Sequence, residues 1–157
     1  MPLFDRGTLI APNMGMTPIY PDETQVHNIM VREVVCVARD MPIAKLEELL
    51  VELGISGVPV TDTDGRPVGM VSKTDLVAAH SRHKVTDETR VADIMMPMTF
   101  CVGVDETVAK TAGLMAFEGL HRVPVVNREG RVIGLVAALD VLRWLARESG
   151  YAIANRH

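Results

Sequence analysis

Ser72-Lys73-Thr74-Asp75 is the stretch whose residue types most invite chemistry. It opens a helical pattern that runs from Thr74 to His83. Hydroxyls and free N–H groups at a helix start attract an anion. A carboxylate beside them accepts from hydroxyl donors such as a vicinal diol. His121-Arg122, just ahead of a short apolar run, offers a second group. Arg grips phosphate in a bidentate fork, and His adds charge when protonated. Asp140 opens the last helical pattern. Each set also has a plainer reading. Ser-x-x-Asp and Thr-Asp are helix caps, and His-Arg is a solvated pair before a strand.

The elements that must position these residues come twice. Val26-His27-Asn28-Ile29-Met30 recurs as Val91-Ala92-Asp93-Ile94-Met95, an offset of 65 residues. At that offset Cys36 falls on Cys101, Gly54 on Gly119, Val58-Pro59-Val60 on Val123-Pro124-Val125, Gly69 on Gly134 and Asp75 on Asp140. No gap is needed, and about a third of positions match where chance gives roughly one in fifteen. Such self-similarity marks a repeated supersecondary unit.

Each copy reads as strand, helix, two strands and helix. Val34 to Val37 is a β-branched run, hence a strand. Asp40 and Pro42 signal a helix start, followed by Ile43, Leu46, Leu49, Leu50 and Leu53 on one apolar face. Gly54 stops that helix. Val58 to Val60 is a strand whose Pro59 argues for a sheet edge or strand start. Asp64-Gly65 is a hairpin signal, and Pro67 to Val71 is a third strand. The second copy predicts a strand over Phe100 to Val104, a helix over Thr107 to Glu118, strands over Val123 to Val126 and Val132 to Val136, and a helix over Leu139 to Arg147. The organisation is an irregular extension over 1–24, repeats over 25–80 and 91–149, a polar linker over 81–90 and a tail over 150–157. A unit of about 50 residues buries its own apolar face poorly, so the copies are expected to pack sheet-to-sheet about a pseudo-two-fold axis.

Composition narrows the function. The 157 residues carry a net charge of −4 and only 4% aromatics. There is no Lys/Arg stripe for phosphate neutralisation and little to stack on bases, which argues against nucleic acid. No window matches the roughly 18 to 20 apolar residues of a membrane span, and the start lacks the order of a signal peptide. A cytoplasmic protein is expected, with Cys36 and Cys101 as small core thiols. His80 and His83 read as a polar helix end, and no metal site is expected. The ten methionines are scattered core filler.

The motif set resembles the cystathionine-β-synthase (CBS) domain, which occurs in tandem pairs called Bateman modules. The resemblance rests on Ile29-Met30, Gly54 to Val60, Asp64-Gly65 and Gly69 to Leu76, and on Ile94-Met95, Gly119 to Val126 and Gly130 to Asp140. It covers residues 25 to 148 and implies an α/β (α+β) fold of two βαββα repeats. It also implies adenosyl ligands, AMP, ADP, ATP or S-adenosylmethionine, in clefts between the repeats. In the main cleft, Asp75 would bond the ribose, with Ser72, Lys73 and Thr74 around the phosphate. Phe100 would meet the adenine, and apolar residues including Val123 and Pro124 would line the ring. His121-Arg122 resembles the phosphate-contacting pair of the AMP-activated protein kinase γ subunit. A second cleft would use Asp140 with Val35, Ser56, Gly57, Val58 and Pro59. There Ala137 and Leu139 replace the hydroxyls and Ser56-Gly57 replaces His-Arg, so an uncharged adenosyl group or no ligand is expected.

The leading expectation is a non-catalytic regulatory module that senses such a ligand and signals to an effector protein. The alternative is a ligand-free structural or interaction module. Val141, Leu142, Trp144 and Leu145 form an apolar stripe, and the resemblance implies a homodimer. An enzyme is not expected, because no nucleophile–base pair, metal-ligand cluster or phosphate loop with Lys and Ser/Thr is present.

Overall fold

The computed structural model describes residues 23–97 and 100–153. The expected N-terminal extension before residue 23 and the tail over 154–157 lie outside the described residues. Two units of mixed α/β structure are present. One comprises residues 33–97 with Arg128–Val132. The other comprises residues 23–32, 100–127 and 133–153.

The first unit holds β1 (Val37–Ala38), α1 (Ile43–Glu52), β2 (Gly57–Thr61), β3 (Pro67–Ser72), α2 (Lys73–Ser81), the short α3 (Val91–Ile94) and β4 (Met96–Pro97). Its sheet runs in the order β1-β2-β3-β4. The β1–β2 pair is parallel and the other two are antiparallel. Ile43, Leu46 and Leu50 recur at helical spacing and are at most 2% exposed. They pack with Val58, Val60 and Val71, whose alternation matches the strand period. Leu53 falls outside this face and is exposed, because the helix ends at Glu52.

Three expectations are corrected here. Val34 and Val35 are not in β1. A β-branched run favours extended backbone, but a strand needs a partner, and the parallel ladder begins only at Val37↔Val60. Asp40 does not cap α1; Pro42 holds that position without a side-chain bond. Pro59 lies inside a central strand rather than at an edge. β1 reaches only Val60 and Thr61, so the missing Pro59 N–H falls beside an unpaired stretch of that edge.

The second unit holds a 3-10 turn at Val26–Asn28, β5 (Val102–Gly103), α4 (Val108–Glu118), β6 (Arg122–Val126), β7 (Val132–Ala137) and α5 (Ala138–Glu148). Its sheet order is β5-β6-β7, with an isolated antiparallel bridge Val31↔Leu135. Thr107 caps α4 by accepting from Lys110 N at 3.2 Å. Gly119 ends α4 at φ +67°, a left-handed conformation that costs glycine little. As in the first copy, the expected strand over Phe100 to Val104 shortens, here to β5, which pairs in parallel with β6 at Val102↔Val125.

The compact unit is not the sequence repeat. Val26 and Met30 open the first repeat, yet they are buried in the core of the second unit with Val102, Leu114, Val123 and Val136. Val91, Ile94 and Met95 open the second repeat and pack in the first unit's core. The polar stretch 81–90 is no loose linker. Thr89 is buried, its Oγ1 accepts from Thr86 N at 2.8 Å, and its carbonyl accepts from Ile43 N at 3.2 Å.

Candidate functional site

Each unit builds the same corner. In the first, the antiparallel pair Gly57↔Ser72 sets the start of β2 against the start of α2. Lys73 N donates to Ser56 O at 2.9 Å and ties that corner together. In the second, Ala138 N donates to His121 O at 3.0 Å. The structure therefore brings Ser56 and Gly57 beside Ser72, Lys73, Thr74 and Asp75, and brings His121 and Arg122 beside the start of α5 and Asp140. Lys73, Thr74, Ser56 and His121 are exposed, while Ser72, Asp75, Arg122 and Asp140 are half-buried.

Ser72 and Asp75 form a closed capping box. Asp75 Oδ2 accepts from Ser72 N and from Ser72 Oγ, both at 2.8 Å, and Ser72 Oγ accepts from Asp75 N at 3.4 Å. This satisfies orphan N–H groups at the helix start. It leaves Asp75 Oδ1 without a partner among the described residues. A half-buried carboxylate with one oxygen fixed and one open is a held acceptor for hydroxyl donors.

Asp140 differs. Its Oδ2 accepts from Ala137 N at 2.9 Å, but Ala137 has no hydroxyl to return the bond. Its Oδ1 lies 3.7 Å from the Arg143 guanidinium, one turn along α5. Position 143 corresponds to Ala78 in the first repeat. The sequence reading passed over this pair, although an Asp with Arg three residues on is the spacing that pairs across a helix turn.

Asp75 also lines a groove of about 450 Å³ between α2 and α3, with Ala78, Ala79, Arg82, Lys84 and Met96. That volume is in the range of small-molecule sites, roughly 300 to 1,000 Å³. Arg82, Lys84 and Met96 were not among the sequence candidates.

Other candidates are placed as follows. Val58 and Val123 belong to the cores of their own units, so they offer a ligand backbone only. Pro59 and Pro124 are buried, and Val35 is exposed. Phe100 is half-buried against the second core. Cys101 is buried and Cys36 half-buried, both are free thiols, and burial pushes both pKa values up. His80 pairs with the Glu47 carboxylate. Among the described residues, no cluster of His, Cys, Asp or Glu could hold a metal ion, and no helix is long and apolar enough to cross a membrane.

The CBS-domain family model matches residues 26–82 and 91–147. The solved CBS domain pair of protein MJ0100, in complex with 5′-methylthioadenosine and S-adenosyl-L-methionine, is 25% identical. It superposes with a TM-score of 0.72, over 80% of this chain and 98% of that one. CBSX2 in complex with AMP is 27% identical, with a TM-score of 0.71 over 80% of this chain and 98% of that one. The magnesium transporter MgtE of Thermus thermophilus is 33% identical over 133 residues, which are 82% of this chain and 28% of the transporter. The chain spans about a quarter to a half of the curated relatives it matches. The βαββ pattern found twice, the matched residues and the superpositions agree, and the chain belongs to the CBS-domain family as two CBS domains in tandem.

Proposed function

We propose that this chain is a cytoplasmic regulatory module that binds an adenosyl compound (AMP, ADP, ATP or S-adenosylmethionine) and passes the bound state to a partner protein. The observation that carries the reading is Asp75. Its carboxylate is held by the capping box through one oxygen, and the other oxygen has no partner among the described residues. The similar CBS pairs described above are complexed with AMP and with methylthioadenosine and S-adenosylmethionine. In this reading Asp75 accepts from the ribose hydroxyls, and Ser72 and Thr74 face the phosphate. A ligand shifts the module only through different affinity for two of its states. The same reading assigns no chemical step to any residue and pairs the chain with a second copy, a role for which the exposed Leu139 and Leu142 on α5 are suited.

Calorimetric titration with AMP, ADP, ATP and S-adenosylmethionine tests it. Saturable binding of at least one, lost in Asp75→Asn, is expected. No heat from any of the four at millimolar concentration defeats the proposal. Sedimentation equilibrium tests the pairing, and a monomer at all concentrations removes it.

A second reading is favoured by the capping box itself, since that box explains Ser72 and Asp75 without any ligand. A purely structural module shows no change in melting temperature with any of these compounds.

A further inference from the structure

The two helix-start aspartates are equivalent by sequence but not by partner. Asp75 Oδ2 accepts from Ser72 N at 2.8 Å, and Asp140 Oδ2 accepts from Ala137 N at 2.9 Å. The difference lies in the remaining oxygen. Asp75 Oδ1 has no partner among the described residues. Asp140 Oδ1 faces the Arg143 guanidinium at 3.7 Å. Ala78, at the corresponding place on α2, is too short to do the same.

We infer that Arg143 keeps the Asp140 corner closed to a ribose, so that the chain takes one adenosyl ligand, through Asp75, where its internal symmetry would allow two. The inference rests on the reading of Asp75 as the ribose acceptor. A vicinal diol brings two O–H donors and needs an acceptor with free lone pairs facing it. At Asp140 one oxygen accepts from backbone and the other is ion-paired with a cation 3.7 Å away. The pair is partly shielded, with side-chain exposures of 30% for Arg143 and 15% for Asp140, so water screens it less than a surface pair. A neutral diol entering there competes with a full positive charge for the same oxygen. Arg143 is thus a specificity-determining residue: it does not touch the proposed ligand, but it decides which of two similar carboxylates is available.

The probe is 5′-methylthioadenosine, which carries the ribose diol but no phosphate, so recognition of a phosphate does not enter. Equilibrium dialysis counts ligand per chain for the wild type, Arg143→Ala, Arg143→Gln and the double variant Asp75→Asn/Arg143→Ala. Each arginine variant is expected to bind one more molecule per chain than the wild type. The double variant is expected to keep the gained molecule, bound more than about ten-fold tighter than any residual binding in Asp75→Asn alone, as for a hydrogen bond to a charged group. The glutamine variant guards against a packing defect in the alanine variant. Two molecules on the wild type, or no gain in either arginine variant, overturns the inference. An Asp75→Asn chain that binds AMP as well as the wild type overturns the underlying reading instead.

Discussion

Asp75 has two tasks that a substitution separates. Asp75→Ala removes the acceptor for Ser72 N and Oγ, so α2 loses its cap. A loss of about 1 kcal/mol in unfolding free energy by urea titration is expected. The same change is expected to weaken AMP by about 1.5 to 3 kcal/mol in calorimetry, the range for hydrogen bonds to a charged group. Unchanged AMP affinity with lowered stability would leave Asp75 as a cap only. The thiols offer an independent check. Burial raises both cysteine pKa values, so less thiolate is present at a given pH. Both thiols are expected to react more slowly with a disulfide reagent at pH 8 than after denaturation, Cys101 the slower because it is the more buried. A burst from both sites in the folded protein would contradict their placement.

At the scale of elements, the Ile-Met pair that opens each repeat has a definite seat. Met95 lies against Gly69 of β3, and Met30 lies against Gly134 of β7. A Cβ at Gly69 would meet Met96 O and Met95 Sδ, each at 2.8 Å. The atoms nearest to a Cβ at Gly134 all belong to the Met30 side chain. Backbone cannot swing aside as a thioether can, so Gly69→Ala is expected to cost about 1 to 3 kcal/mol and Gly134→Ala less. Urea melts of the two variants decide the order, and equal losses would mean that β4 moves freely. Both glycines and both methionines were visible in the repeat. Their contact was not, because nothing in a sequence period says which strand a distant methionine covers.

For the whole molecule, the division into units matters most. A fragment cut at the family boundaries, residues 26–82, lacks Val91, Ile94 and Met95 of the first unit's core. It also carries Val26 and Met30, which belong to the other core. Such a fragment is expected to give a poorly dispersed amide spectrum and no cooperative melt. A sharp thermal transition from it would show that the exchanged segments are dispensable. The expected boundary at residues 81–90 came from polarity, and polarity did not distinguish a linker from a segment held by the buried hydroxyl of Thr89.

Much of the fold and of the candidate site's local geometry was legible in the chain alone, because their signals are local. Repeat spacing, apolar periodicity and the Ser72–Asp75 cap depend on residues a few positions apart, and the two helix-start aspartates follow from the 65-residue offset. The βαββα order followed from the same local rules. The tertiary structure decided what depends on partners far along the chain or on side-chain direction. It shortened the strands to the residues with a ladder partner and put Pro59 in a central strand beside an open edge. It moved the opening segment of each repeat into the other repeat's core. The two aspartates were separable in the chain itself, since Arg143 follows Asp140 by three residues where Ala78 follows Asp75; the structure decided the direction of that side chain, which sets its guanidinium 3.7 Å from Asp140 Oδ1.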